Sequence, residues 1–365
     1  MRRRGVKVRE ELEYSLKNLH LAYSYKACNA PKICRIFNEM GFLSEVVGDE
    51  FGIAEEISVP ASKIIFNGPY KKREHVEKAL IKNILVINVD SKEELDYINR
   101  ILSKNAIKGA NIGLRVRPSV SYPIAPHFGM DEELILKFAK KVIEMGANLY
   151  QIHAHIGTQI TKLELYKELS EKMSNLAKKI EKEHNIELTI NLGGGFALES
   201  TPEYFSRDRI PALNEYSLAI SSGLNEDKEI FLEPGRTLIG PCAVLATKVI
   251  SIKRPRNIGK IAIVDASYFD ILSSAFLSHE VECISSGKEE LLVETDVYGS
   301  SCVSADVIRV GAYLPSDLKE GDILLVKDAG AYSINISSHP MRPRPKIFIL
   351  RENNEYEEVR RAFVE

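Results

Sequence analysis

The chain has 365 residues, 44% of them hydrophobic, with 49 lysines and arginines against 51 acids and a net charge of −2. That length exceeds the roughly 250–300 residues at which one core stops growing, so two domains are expected. A near-neutral balance with a pI near 6.5 argues against a nucleic-acid partner and for a small-molecule one, and five cysteines without CxxC spacing argue against a structural metal or a disulfide framework.

The basic opening, MRRRGVKVREELEYSLKNL, has no apolar signal-like core, and no run of about 18 apolar residues suggests a membrane span. A cytoplasmic protein without a membrane partner is expected. Strand patterns follow in order: LAYSY (21–25), LSEVV (43–47), KIIFN (63–67), ILVIN (84–88), NIGLRV (111–116), LYQIHAH (149–155), ELTINL (187–192) and EIFLE (229–233). Helical patterns separate many of them, among them PKICRIFNEMG, SKEELDYINRILSK, DEELILKFAKKVIEMG and KLELYKELSEKMSNLAKKIEKE, several opened by Pro, Ser or Asp. Eight βα units in succession predict a TIM (β/α)8 barrel over residues 1–240. Beyond it the long helices stop, and VLATKVISI, KIAIVD, LLVETDVYG, DILLVKDA and KIFIL predict a mainly antiparallel β-sandwich or β-barrel domain over 241–365.

A barrel carries its chemistry at the carboxyl ends of its strands. Those ends are polar here: Lys26 follows strand one in AYSYKACN (22–29), Glu45 lies on strand two, Arg115 and Arg117 on strand five, and His153 and His155 on strand six. Strand seven runs into Gly193, Gly194 and Gly195, and strand eight into Glu233, Pro234, Gly235 and Arg236. All are expected to face one cavity. Three glycines alone fit an ordinary turn as well as an anion cradle, but the loops after strands seven and eight are a habitual phosphate site of barrels. An arbitrary strand-end lysine snorkels to solvent. Desolvated among Tyr23 and Tyr25, with Arg115 near, Lys26 would instead have a lowered pKa and form a Schiff base with a phosphate-bearing aldehyde, which points to pyridoxal 5'-phosphate. Glu233 suits the acid that such a cofactor needs against its ring nitrogen.

These segments resemble the fold-type III pyridoxal-phosphate decarboxylases. YSYKAC, INVDSKEEL, LRVRP, HFGM, HAHIGTQI, NLGGGF, EPGRT, GSSCVSADVI and GDILLVKDAGAY follow in that family's order over about residues 20–350. The resemblance implies that Lys26 carries the cofactor, that His155 stacks on its ring and that Glu233 pairs with its nitrogen. Thr158, Gly194, Gly195, Gly235, Arg236 and Tyr332 would surround the phosphate, and Glu45 would stand near the lysine. Cys302 would come from a partner subunit to protonate the substrate carbon, which implies a homodimer with shared sites. His153 is expected to be a packed interior histidine, and Cys28, Cys34, Cys242 and Cys283 core thiols.

The implied reaction is decarboxylation of an amino acid at its α carbon. Where the family places an acid for a distal ammonium, this chain has Val303; a family RPALY segment reads SSAFL from Ser273; and the SSHPMRPRP segment, with Arg342 and Arg344, lacks a family tyrosine and asparagine. An altered distal pocket lined by Ser273, Val303 and Arg342 is therefore expected, with diaminopimelate disfavoured as substrate. A racemase of similar architecture and a cofactor-fold binding protein without turnover are the alternatives.

Overall fold

The computed structural model describes residues 1–365 apart from 199, 201, 204–207, 226–227, 286, 288, 337–343, 352 and 359–365. Two compact units emerge: residues 2–197 with 211–235, and residues 198–210 with 236–365 and Met1. The chain thus divides after Gly235, and the segment 198–210 clusters with the later residues.

The first unit is a closed parallel barrel of eight strands in chain order. They are β1 (Leu19–Ser24), β2 (Leu43–Val47), β3 (Ile64–Asn67), β4 (Val86–Val89), β5 (Asn111–Arg115), β6 (Asn148–His153), β7 (Thr189–Asn191) and β8 (Ile230–Leu232). Closure is made by β1 against β8, with Leu19, His20 and Leu21 opposite Ile230, Phe231 and Leu232. Helices α1 (Arg2–Leu12), α2 (Pro31–Glu39), α3 (Glu50–Glu56), α4 (Arg73–Ile81), α5 (Lys92–Lys104), α6 (Glu132–Glu144), α7 (Leu163–His184) and α8 (Leu213–Gly223) belong to this unit. The helical patterns read from the sequence form because their apolar stripes recur at turn spacing, as in α5, which buries Leu95, Ile98, Ile101 and Leu102. Its Ser91 cap accepts from the Glu94 N–H. Helix α1 lay outside the predicted elements. Its basic residues hide a stripe of Gly5, Val8 and Leu12 that is buried, and its end is tied to α8 where Ser217 Oγ donates to the Leu12 carbonyl at 2.8 Å.

Inside the barrel the period-two alternation of strands stacks two layers. Ala22, Ile65, Val86 and Phe231 form an apolar cluster. Two residues further along their strands stand Ser24, Asn67, Asn88 and Glu233, all buried and all polar. The barrel is therefore dry at one level and ionic at the next, and the second level is where the strands end.

The second unit has α9 (Arg236–Ile239), β9 (Leu245–Lys253), β10 (Lys260–Val264), β11 (Val281–Cys283), β12 (Leu292–Tyr298), β13 (Val307–Pro315), β14 (Ile323–Val326), β15 (Phe348–Leu350) and β16 (Tyr356–Glu358). Among the described residues, six strands make one sheet in the order β11-β14-β9-β10-β12-β13, and β15 pairs with β16. Only the β10–β12 pairing is parallel. Its core includes Val249, Val264, Val297, Ile308, Leu314 and Leu324. β13 is long and was not foreseen; VIRVGAYLP contains Gly311 at φ +67°, which interrupts its alternation. Among the described residues no helix is long and apolar enough to cross a membrane.

Candidate active site

Lys26 sits in a single 3-10 turn, Tyr25–Ala27, directly after β1. Its ammonium lies 3.4 Å from Glu45 Oε2 on β2, and its side chain keeps 37% of its exposure while Glu45 has none. The side chain enters a cavity of about 430 Å³ whose walls include Asn67, Arg115, Phe128, His153, His155 and Glu233. That volume falls within the range of small-molecule sites. The turn after β3, with Gly68, Pro69 and Tyr70, also lines it.

The two tyrosines expected around Lys26 are elsewhere. Alternation along β1 sends Ser24 inward, where it donates to Glu45 Oε2, and Tyr23 outward, where its ring stacks on Phe37 of α2 at 4.2 Å between centroids. Tyr25 shares a hydrogen bond with Ser44 Oγ at 2.9 Å. Arg117 also leaves the cavity: its guanidinium binds Asp131 Oδ1 at 2.6 Å near the protein surface. Arg115 stays, held by Asp90 at 2.7 Å and stacked 4.5 Å over the Phe128 ring.

Glu233 is fixed by donors from two strands and faces a histidine on a third. Its Oε1 accepts from Asn67 Nδ2 at 2.9 Å and from Asn191 Nδ2 at 2.7 Å, while Oε2 lies 3.6 Å from His153 Nε2. Burial opposes ionisation of this carboxyl, but His153, Lys26 and the Asn191 bond outweigh it and hold it below the usual carboxylate range. It is an anion in a dry barrel. His153, which the sequence assigned to packing, is buried as expected and also stands beside Glu233.

His155 lies two residues beyond β6. Seclusion from water, then Lys26 and Arg115, lower its pKa to about 3, so the ring is neutral near neutral pH. Gly194 N–H donates to its Nδ1 at 3.2 Å, which places the ring proton on Nε2. The glycines expected to cradle a phosphate are required by backbone approach: a Cβ on Gly194 would stand 2.3 Å from the Glu233 carbonyl, and one on Gly195 2.3 Å from the Gly157 carbonyl. Gly195 further has φ +96°. Thr158 is exposed in the turn between β6 and α7, and Gly235 is buried at the end of this unit.

In the second unit, Arg236 opens α9 and lies over the Tyr332 ring, 4.9 Å from its centroid. It is buried, and its Nε has no hydrogen-bond partner among the described residues. A buried guanidinium with an unanswered donor is chemically suited to an oxyanion. Tyr332 adopts φ +56° after Gly330, where a Cβ would meet the Ile239 carbonyl at 1.9 Å. Cys302 and Val303 are exposed on a loop that Asp306 pins by accepting from Ser267 Oγ, Tyr268 N–H and Ser301 N–H.

Ser273 is buried, sharing a hydrogen bond at 2.9 Å with His279 Nε2, whose other ring nitrogen faces the Lys327 carbonyl. Its hydroxyl is engaged within its own unit. Arg342 lies outside the described residues, as does most of SSHPMRPRP. All five cysteines are free thiols.

Residues 2–240 match the family model described as pyridoxal-dependent decarboxylase, pyridoxal binding domain. The chain belongs to the pyridoxal-dependent decarboxylases. It is 30% identical over 375 residues to the diaminopimelate decarboxylase of Methanocaldococcus jannaschii, covering 94% of this chain and 83% of that one. The enzyme of the same name from Aquifex aeolicus is 29% identical, with 92% and 84% covered. The crystal structure of the M. jannaschii enzyme superposes with a TM-score of 0.85 at 28% identity over 98% of this chain and 86% of that one. Diaminopimelate decarboxylase from Helicobacter pylori complexed with L-lysine gives 0.86 at 26% identity, over 98% and 91%. This decarboxylase is thus a pyridoxal-phosphate-dependent carboxy-lyase acting on an amino acid. The barrel fits the cofactor by its donor set, a half-exposed lysine facing a buried, ionised carboxylate across one cavity.

The sequence reading overlooked four residues. Asn67, Asn88, Gln151 and Asn191 are all buried in the barrel and hydrogen-bonded to one another or to Glu233. A signal was present, since Ile65, Val86 and Thr189 are each followed two positions later by asparagine. Asparagine is a poor strand former, so three at one level of a barrel mark a polar floor.

Glu50 was also passed over. Burial, then repulsion from Glu45, push its pKa up to about 8, and its Oε2 accepts from the Val47 N–H at 3.1 Å. The folded protein therefore keeps Glu50 protonated up to about 8, whereas the unfolded chain releases that proton near 4.5. Unfolding sheds a proton between those values, so this residue's contribution to stability is lost as pH rises through that window. Glu50→Gln is expected to leave urea stability almost unchanged at pH 5 and to raise it by a few kcal/mol at pH 9, on the order set by the size of the shift. Equal effects at both pH values would contradict the protonated state.

Proposed function

We propose that this decarboxylase holds pyridoxal phosphate through Lys26 and removes the α-carboxyl group of an amino acid whose far end carries no simple ammonium. The single observation that supports it most is that Lys26 and the ionised Glu233 line one cavity. When bound, the cofactor supplies an electron-accepting ring for the carbanion left by carbon dioxide. Glu233 would hold a proton on the ring nitrogen through Oε2, and Lys26 would receive the aldehyde and move protons at the reacting carbon. His155, uncharged, would lie flat on the ring without adding a competing cation. Glu45, bound by Ser24 and Asn67, would keep the lysine at the cavity wall.

By resemblance, Thr158, Gly194, Gly195, Gly235, Arg236 and Tyr332 would bind the phosphate; for Arg236 the unanswered Nε supports that role. Cys302, exposed on its pinned loop, would act in a neighbouring subunit of a homodimer as proton donor. The protein is expected to work in the cytoplasm.

The substrate reading rests on Val303. In the family the residue after the cysteine is an acid, and a desolvated ammonium without a counter-ion costs several kcal/mol. Assays of carbon dioxide release should show higher kcat/KM for amino acids with an uncharged or carboxylate-bearing distal end than for meso-diaminopimelate, lysine or ornithine. Val303→Glu should narrow that gap by about tenfold or more. Rapid turnover of diaminopimelate by the unaltered protein would overturn the substrate reading and leave the cofactor site standing.

A further inference from the structure

The floor of the barrel is a ring of four amides closed by one carboxylate. Asn88 Nδ2 donates to Asn67 Oδ1 at 2.7 Å and to Gln151 Oε1 at 3.1 Å; Asn191 Nδ2 donates to the same Gln151 oxygen at 3.2 Å and to Glu233 Oε1 at 2.7 Å; Asn67 Nδ2 returns to Glu233 Oε1 at 2.9 Å. All five residues are buried.

The orientation of these amides is not arbitrary. Gly193 N–H, which can only donate, points at Asn191 Oδ1 at 2.8 Å, so the Asn191 amino group must face Glu233. Thr189 Oγ1 donates to the Tyr150 carbonyl and therefore accepts from Gln151 Nε2, which turns the Gln151 oxygen toward Asn88 and Asn191. Asn88 is then a donor to both neighbours, and Asn67 must present its oxygen to Asn88 and its amino group to the acids. That amino group also reaches Glu45 Oε1 at 3.1 Å. Space for the ring is made by Gly113, where a Cβ would lie 1.8 Å from Asn88 Oδ1.

We propose that Asn67 is a positioning residue: its amide ties Glu233 to Glu45 and, with Asn191, commits one oxygen of Glu233 to the barrel so that Oε2 alone is left for the cofactor's ring nitrogen. The inference rests on the reading of Glu233 as the ring-nitrogen acid. Two carboxylates in one dry barrel repel, and a shared amino group answers both at once. The other ionisable groups facing Glu233 are Lys26 after β1, His153 on β6 and His155 beyond it. The two asparagines are the amides that donate to Oε1. Removing either donor disfavours the ionised form of Glu233, so the acid limb of cofactor retention moves to higher pH.

The test measures pyridoxal-phosphate dissociation by equilibrium dialysis from about pH 3 to 8, a range that reaches below the ordinary carboxylate pKa, for the unaltered holoenzyme, Asn67→Ala, Asn67→Ser and Asn191→Ala. Thermal melting of each cofactor-free protein runs in parallel, and borohydride reduction followed by mass spectrometry locates the cofactor in the unaltered protein. A hydrogen bond to a charged group is worth about one to two pK units. The midpoint of retention should therefore rise by about one unit in Asn67→Ala and Asn191→Ala, with a smaller rise in Asn67→Ser, which keeps a hydroxyl donor. A residue with a merely structural role would lower melting temperatures and leave the midpoint where it was, and that result overturns the proposal. Should Asn67→Ala fail to fold, the serine variant and Asn191→Ala carry the same decision. Failure of borohydride to fix the cofactor on Lys26 would overturn the underlying site reading; fixation with unmoved midpoints would sink the amide proposal alone.

Discussion

Lys26→Ala is expected to give a colourless protein. With the amine gone, no imine can form with the aldehyde, so the absorbance near about 420 nm that marks such a linkage should be absent even in excess pyridoxal phosphate. Decarboxylation should fall by more than the roughly 10²- to 10⁴-fold that a single positioned proton-transfer group contributes, because the same side chain both anchors the aldehyde and handles the proton. The fold should survive: Lys26 is partly exposed, and its contact with Glu45 is long, at 3.4 Å. Melting of the cofactor-free variant close to that of the unaltered protein would separate lost chemistry from lost structure. A variant that keeps both colour and turnover would remove the foundation of the proposed function.

The second large effect is expected at Glu233→Gln. The glutamine oxygen can keep the bonds from Asn67 and Asn191, so the barrel floor should remain closed. Its amino group then occupies the place of Oε2, facing His153 and the ring nitrogen with a donor where an anion stood. Loss of one partner of a buried charge pair costs about 2–5 kcal/mol, so kcat/KM should fall by about 10²-fold or more at neutral pH. The loss should lie mainly in kcat, since the charge matters most when electrons flow into the ring. Unchanged kcat would mean that Glu233 serves the fold alone.

Both predictions concern residues that were legible in one dimension. Lys26, Glu45, His155 and Glu233 each lie on or just after a barrel strand, and a barrel gathers the carboxyl ends of its strands at one face whatever the loops do. Strand existence was equally visible: the short β-branched runs at 43–47, 63–67 and 111–116 reappear with ends shifted by at most a residue or two. Local hydrophobic pattern carries that information because it depends on which side chains need burial, and not on what buries them.

What escaped was every decision made by a distant neighbour. Tyr23 and Tyr25 adjoin Lys26 in sequence, yet alternation puts them against Phe37 and Ser44, outside the cavity. Nothing in SSAFL announced that the Ser273 hydroxyl would share a hydrogen bond with His279. The asparagines at 67, 88 and 191 read as weak strand endings until the barrel closes and sets them beside Gln151 and Glu233.

The amino-acid sequence by itself determined a barrel with a lysine and a carboxylate at its rim and a separate β domain after it, because periodicity and strand-end chemistry are local properties. Only the tertiary structure decided which oxygen of Glu233 the two asparagines hold, why Glu50 stays protonated and which polar side chains share the barrel floor. Those outcomes depend on donors and charges contributed by strands far apart in the chain, whose distances exist only once the sheet has closed.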